Sequence, residues 1–307
     1  MATITTHPAA KAAKRDAPSA GAFLEEMLAQ RWKAFGKRLR RALPHRRARI
    51  DEAVHDLRTA SRKMLSVLDA VEASGPRKAV KRLGRRVHDV LDRLGPVRDL
   101  TVQRERLAHV AGDRPTGALR AFERVGARQF ARSVRKLRRR LARVDAKALR
   151  GDVRRIRRRL RDPRKSDGTR GNAIDAVARA FSELQERRVA VDPTALETVH
   201  RMRISLKQFR YLVQSAAPLV PGASTRARGT LHALQTTMGD LHDLEVLSAS
   251  LAAFAKGDAE RTEQLSPVLA DLEAQHSGLL RAFLRSADAA LARWKGAVVA
   301  SPARRRA

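Results

Sequence analysis

Two segments of the chain carry the same arrangement of basic residues, in which a histidine is followed by cations three and seven positions later. The first segment contains His55, Arg58 and Arg62, and the second contains His200, Arg203, Lys207 and Arg210. Steps of three and four residues place side chains on one side of an α-helix. We therefore expect each segment to form a cationic stripe on a helix, and we call the two stripes the first and second basic strips.

The residue types of the basic strips suit the binding of phosphate groups. A guanidinium group donates two parallel hydrogen bonds to phosphate oxygens, and a lysine ammonium supplies a compact positive charge. A histidine beside phosphates is held in its protonated form. A solvated helix face is the alternative interpretation for any single arginine in so basic a chain, but the repetition of the pattern favours a binding role.

Further basic residues are candidates for extending this surface. Helical periodicity places cations beside the apolar seam of residues 77–94, and along the outer face of a helix predicted from about Thr116 to Lys147. We predict that these cations extend the binding surface or attract an anion to it, and the alternative is that they only set the surface potential. The additional candidate binding residues are Lys63, Lys81, Arg82, Arg86, Arg128, Arg132 and Arg135.

The charge balance predicts a polyanionic partner. The chain has 65 Lys and Arg against 32 Asp and Glu, a formal net charge of +33, and such a surface repels itself unless an anion neutralises it. Nucleic acid, an anionic membrane surface and a phosphate polymer all fit this charge, and each would bind with a steep salt dependence. Aromatic residues make up only 4% of the chain, which disfavours recognition of bases by stacking. A DNA- or RNA-binding or nucleoid-associated protein remains the main alternative to a phosphate-polymer binder.

Nothing in the sequence predicts catalysis, a metal site or a cofactor. Cysteine is absent, which excludes disulfides, thiolate zinc sites and a cysteine nucleophile. No two of the nine histidines lie four residues apart, and the phosphate-loop, serine-elbow and HExxH motifs are missing. We predict a binding protein that is not an enzyme, with no cofactor and with no catalytic or metal-binding residues. No apolar run reaches the length of a leader or a membrane span, so we expect a cytoplasmic protein without integral membrane association.

The elements that position these residues are predicted to be helices. Apolar residues recur at steps of three and four, as in Val54, Leu57, Met64 and Leu68, and no segment shows the alternation typical of a strand. Neighbouring glycine and proline residues are expected to separate the helices. These pairs are Gly75-Pro76, Gly95-Pro96 and Pro221-Gly222.

A second motif is duplicated downstream of the basic strips. The segment LGPVRDLTV, Leu94 to Val102, matches MGDLHDLEV, Met238 to Val246, at an offset of 144 residues, and the basic strips repeat at an offset of 145. Asp99 and its counterpart Asp243 each precede an apolar run, so we predict that both cap helices. The alternative is that each carboxylate forms a salt bridge that orients the basic strips.

Two motifs that repeat in the same order indicate an internal duplication. We predict an all-α fold of two antiparallel four-helix bundles related by pseudo-twofold symmetry, with the two copies of each motif facing each other. The predicted parts are a disordered basic tail (1–20), the first bundle (21–161), a linker (162–172), the second bundle (173–299) and a second basic tail (300–307).

These four motifs, in this order within an all-helical, arginine-rich chain, resemble the CHAD family, the conserved histidine α-helical domain. The resemblance extends from about Gly21 to Val299. It implies a fold of two four-helix bundles with pseudo-twofold symmetry. It also implies that inorganic polyphosphate binds along a basic groove made by the histidine-bearing helices, and that the protein associates with polyphosphate granules in bacteria.

The resemblance also limits what is carried over to this chain. CHAD proteins are often fused to a CYTH triphosphatase domain with an ExExK strand motif, and this motif does not occur here, so no hydrolase activity is implied. The second basic strip departs from the first, because Lys207 stands where the first has Arg62 and Gln208 stands where it has Lys63. The two strips are therefore expected to differ in binding strength.

Overall fold

The computed structural model describes residues 19–42, 50–111, 116–162, 164, 168–220 and 223–299. Within these ranges the protein forms nine α-helices and no strand, which confirms the predicted all-α fold. No helix in the described ranges is both long and apolar enough to cross a membrane. The helices are α1 (Ala20–Ala42), α2 (Ile50–Val71), α3 (Arg77–Ala111), α4 (Gly117–Ala142), α5 (Ala146–Arg161), α6 (Thr169–Val189), α7 (Leu196–Ala216), α8 (Thr225–Ala255) and α9 (Ala259–Val299).

Several predicted boundaries fall outside the described residues. The predicted tail 300–307 lies entirely outside them, and the predicted tail 1–20 lies outside them except for its last two residues. Helix α1 already begins at Ala20. The predicted break at Pro221-Gly222 also lies outside. The predicted linker, 162–172, is described in part, and α6 begins inside it at Thr169, directly after a positive φ of 74° at Gly168 that glycine tolerates. The division into two bundles stays a prediction.

The predicted break at Gly95-Pro96 is wrong, and so are the two predicted caps. Helix α3 continues through Pro96, and Asp99 therefore lies inside it; Asp243 lies inside α8 in the same way. A proline within a helix costs stability because it removes one backbone hydrogen bond. Here Leu94 and Val97, on either side of the proline, are fully buried, and their burial offsets that cost.

The predicted helix from Thr116 to Lys147 is two helices. Helix α4 ends at Ala142 and α5 begins at Ala146. The carboxylate of Asp145 accepts a hydrogen bond from the backbone N–H of Ala148 at 2.9 Å, which caps the new helix. Val134, Leu137 and Leu141 of α4 are buried in the core. The predicted cations Arg128, Arg132 and Arg135 of the same helix are exposed.

The hydrophobic core joins the two predicted halves. The larger of two apolar clusters contains residues of every helix from α1 to α9. Within it Phe209 of α7 contacts Phe181 of α6 and Trp294 of α9, each with ring centroids 5.3 Å apart. A smaller cluster joins the end of α3 and the start of α4 to α8 and α9. Burial of each large side chain contributes roughly 1.5–3 kcal/mol, so the two halves stabilise each other.

The helices that carry the duplicated motifs pack against their counterparts. Helix α2, with the first basic strip, contacts α7, with the second, and α3 contacts α8. A buried hydrogen bond joins the Ser66 and Ser215 hydroxyl oxygens at 2.6 Å across the first pair. Across the second pair, Gln103 donates to Ser250 at 2.9 Å and Arg106 forms an ion pair with Asp240. The two basic strips are thereby held side by side.

Candidate functional site

A pocket of about 320 Å³ lies where helices α2, α3, α7 and α8 meet. Each helix contributes one copy of a duplicated motif, so the pocket forms at the contact between the two halves. The lining residues are His55, Arg58, Thr59, Arg62, Arg98, Asp99, Val102, Gln103, Arg203, Lys207, Tyr211, Gln235, Thr236, Gly239, His242, Asp243 and Val246.

One wall of the pocket is formed by four cations without salt-bridge partners. Arg58 and Arg62 come from α2, and Arg203 and Lys207 come from α7; each pair is four residues apart and so lies on one helix face. Among the described residues, no carboxylate oxygen lies within 4.0 Å of any of these four side chains. The Nε of Arg203 is buried and has no hydrogen-bond acceptor among the described residues. We call these four residues the cation cluster.

The cations of the cluster repel one another in a partly desolvated setting. Burial, followed by repulsion from Arg203, Arg62 and Arg58, lowers the pKa of Lys207 to about 7. Burial followed by repulsion from Arg62 also lowers the pKa of Arg58 from its ordinary value. The positive charges are therefore held together at a free-energy cost, which an anion bound in the pocket would relieve.

Two carboxylates line the pocket without neutralising this cluster. Burial lowers the pKa of Arg203, and Asp243 offsets only part of that effect. Asp99 stands on the wall formed by α3, and partial desolvation raises the pKa of its carboxyl group. The predicted alternative, a salt bridge from Asp99 or Asp243 to the basic strips, is absent among the described contacts. Arg98 adds a fifth cation, which faces Glu105 at 3.7 Å.

The histidines of the two strips occupy different positions. His55 lines the pocket and is exposed, whereas His200 does not line it. The ring of His200 instead packs on His242 of the pocket wall, with centroids 5.2 Å apart. Burial, followed by repulsion from His242 and Arg203, lowers the pKa of His200. In the ligand-free protein His200 is therefore less readily protonated than a free histidine.

The remaining members of the strips lie beside the pocket. The Nε of Arg210 donates to Gln235 at 2.5 Å, and its guanidinium lies 4.4 Å from the ring centroid of Tyr211; both partners line the pocket. Lys63 is outside the lining, and burial together with repulsion from Arg31 lowers its pKa. These two cations extend positive charge beyond the pocket itself.

The other residues that were predicted to bind the ligand do not line the pocket. Arg82 and Arg86 form ion pairs with Asp152 of α5 at 2.8 Å and 2.6 Å, so they are held at the interface of α3 and α5. Asp152 is only 4% exposed, and the two arginines compensate its negative charge. Away from the pocket lining, the exposed predicted cations are Lys81 on α3 and Arg128, Arg132 and Arg135 on α4.

Sequence reasoning missed several polar residues of the pocket. Arg98 and His242 belong to the duplicated nine-residue motif, in which only the aspartates were assigned a role. Tyr211 lies four residues after Lys207 and therefore on the same face of α7, but it carries no charge and was not included in the second strip. Gln103, Gln235 and Thr236 carried no recognisable pattern, and only the packing of α3 and α8 brings them in.

Comparison with known proteins places the chain in a family. The CHAD domain model matches residues 33–252, more than half of the chain, and the protein therefore belongs to the CHAD domain family. Two solved structures share the fold at low identity. The first is the CHAD domain from the plant Ricinus communis, with 18% identity and a TM-score of 0.66, covering 87% of this chain and 91% of that one. The second is PptA from Streptomyces chartreusis, with 15% identity and a TM-score of 0.65, covering 87% and 99% respectively. No curated protein sequence matches the chain.

Proposed function

We propose that this protein binds inorganic polyphosphate in the pocket between α2, α3, α7 and α8, without hydrolysing it. The observation that carries the proposal is the cation cluster, which is half-buried, close together and without carboxylate partners among the described residues. Cations arranged in this way are complementary to a dense line of phosphate charge. Membership of the CHAD family, which the resemblance links to polyphosphate, supports the same ligand.

A long polyphosphate chain would extend beyond the pocket. Arg210 and Lys63 lie beside it and add positive charge along α7 and α2. The exposed arginines of α4 would attract the polymer from solution rather than fix it. We propose that the same binding places the protein on polyphosphate granules in the cytoplasm.

The proposal is tested by calorimetry with long-chain polyphosphate at moderate salt. The pocket variant replaces Arg58, Arg62, Arg203 and Lys207 with Ala. The matched control removes four exposed arginines of α5, which have no partners among the described contacts: Arg150, Arg154, Arg155 and Arg158. Both variants lose the same formal charge, so a difference between them reports the position of the charge.

We expect the pocket variant to lose at least about a hundredfold in affinity. A hydrogen bond to a charged group contributes about 1.5–3 kcal/mol, and two such bonds lost already give that factor. The control should lose less than about tenfold, since exposed charges are screened by salt. An equal loss in both variants would mean diffuse electrostatic attraction and would contradict the proposed pocket.

Turnover and ligand preference are tested separately. Incubation of the protein with polyphosphate and divalent metal ions should release no phosphate above a buffer control, and sustained release would overturn binding without hydrolysis. Long polyphosphate and DNA are compared as competitors at the same concentration of phosphate groups. Polyphosphate should displace the protein from DNA, whereas DNA should not displace it from polyphosphate. Equal displacement in both directions would contradict a preference for polyphosphate.

A further inference from the structure

Lys207 differs from every other residue that lines the pocket, because it alone is an amine. It lies on the inner wall, one helical turn after Arg203, and faces Arg58 and Arg62 across the contact of α7 with α2. No described carboxylate oxygen approaches it within 4.0 Å. The amine is thus partly buried among guanidinium groups, next to open space of about 320 Å³.

We propose that Lys207 is a site of acylation by acyl phosphates, small molecules that carry an acyl group on a phosphate. The arginines of the pocket bind the phosphate of such a donor, which brings its carbonyl carbon next to the lysine Nζ. Modification then removes the charge that Lys207 contributes to the cation cluster when it is protonated. This regulatory consequence rests on the proposed function, whereas the modification itself does not.

The chemistry requires an unprotonated amine and a bound phosphate leaving group. The Nζ lone pair attacks the acyl carbon, the bond from that carbon to the phosphate oxygen breaks, and inorganic phosphate leaves with the electron pair. The nitrogen loses one proton to solvent, and the product is a neutral amide. No oxidant, reductant or metal is needed, and the neighbouring guanidinium groups stabilise the departing phosphate.

The electrostatics of the pocket favour this reaction at neutral pH. Because the pKa of Lys207 is lowered to about 7, about half of its amine is unprotonated at pH 7, roughly a thousandfold more than for an ordinary lysine. The weaker basicity reduces its nucleophilicity and offsets part of this gain. By contrast, Lys81 is exposed and is not among the pocket-lining residues.

Polyphosphate and acylation are expected to exclude each other. A bound phosphate chain would fill the space that the acyl donor needs and would occupy the arginines that bind the phosphate of the donor. Conversely, an amide at this position offers no charge to the chain. The modification would therefore act as a switch on the occupancy of the pocket.

The full chain is incubated with acetyl phosphate at pH 7.5, and acetylation at each lysine is followed by mass spectrometry. We expect Lys207 to react at least about tenfold faster than the exposed Lys33, Lys81 and Lys256. Excess inorganic phosphate should slow Lys207 selectively. A rate at Lys207 equal to or below that of the exposed lysines would overturn the proposal.

A neutral acyl donor separates phosphate recognition from simple amine reactivity. With p-nitrophenyl acetate the preference for Lys207 over Lys81 should be smaller than with acetyl phosphate, and an equal preference would contradict recognition by the arginines. Substitution Arg203→Gln should reduce the preference seen with acetyl phosphate, while Arg154→Gln on the exposed face of α5 should not.

The two proposals fail in different ways. If Lys207 is acetylated rapidly but long polyphosphate gives no protection, polyphosphate does not occupy the pocket, and the proposed function is wrong while the modification site stands. If polyphosphate binding depends on the pocket but Lys207 reacts no faster than other lysines, only the acylation proposal is overturned.

Discussion

Polyphosphate affinity should fall as the pH rises above 7, and Lys207 should be the cause. In the free protein the pKa of this lysine is lowered to about 7, so most of the amine is neutral at pH 8. Phosphate oxygens around the side chain favour its charged form and return its pKa toward the ordinary value of 10.5. At a pH between these two pKa values, binding of polyphosphate therefore takes up a proton. Each rise of one pH unit in this range weakens the affinity by up to about tenfold.

The magnitude is measurable in two ways. Between pH 7 and pH 9 the dissociation constant should rise by up to about fiftyfold, because half of Lys207 is already neutral at pH 7 and nearly all of it is neutral at pH 9. Below pH 7 Lys207 is already charged, and its contribution to the pH dependence should vanish. Calorimetry at pH 8 in buffers of different ionisation enthalpy should show an uptake of about 0.9 proton for each occupied pocket.

The substitution Lys207→Met supplies the control. This variant should bind polyphosphate more weakly than the wild type at pH 6.5, approach it at pH 9.5, and lack the proton uptake at pH 8. Titration of the histidines and of the terminal phosphates affects both proteins equally and cancels in the comparison. Identical slopes of affinity against pH in the two proteins between pH 7 and pH 9 would refute the assignment of the lowered pKa to a phosphate-binding lysine.

Three further predictions concern stability. Lys207→Met should raise the free energy of unfolding of the ligand-free protein at pH 7 by about 1–2 kcal/mol, because between pH 7 and pH 10.5 the unfolded lysine binds a proton that the folded one releases. The stability of the wild type should correspondingly rise from pH 7 to pH 10. Urea unfolding that shows neither effect would contradict the burial of this charge. Asp152→Ala should destabilise the folded protein by about 2–3 kcal/mol. This loss is smaller than for a fully buried ion pair, because both arginine partners are more than a third exposed. An unchanged midpoint of urea unfolding would exclude the two ion pairs. Ser66→Ala should cost about 1 kcal/mol by removing the hydrogen bond to Ser215, and no loss would show that this contact between α2 and α7 contributes nothing.

Helical periodicity was sufficient to predict the all-α fold. It also placed Arg58, Arg62, Arg203 and Lys207 on two helix faces that the structure brings into one pocket. The periodicity was informative because the same steps of three and four residues that bury Val54 and its apolar neighbours keep the basic strips out of the apolar core. Binding itself stays a prediction.

The errors arose where distant packing overrode a local signal. The pair Gly95-Pro96 ordinarily ends a helix, but Leu94 and Val97 are completely buried and hold α3 continuous, so Asp99 is not a cap. Contact of Arg82 with the ligand stays a prediction, but the ion-pair partner of Arg82 could not be identified from spacing. Asp152 lies 70 residues away and is brought to it only by the packing of α5 on α3.

The most direct test is a crystal structure of the protein with a short polyphosphate. We predict phosphate oxygens within about 2.7–3.2 Å of the Arg58 and Arg203 guanidinium groups and of the Lys207 ammonium, as in charge-assisted hydrogen bonds. Phosphate groups bound only along the exposed arginines of α4 or α5, with none in the pocket between α2, α3, α7 and α8, would contradict the account.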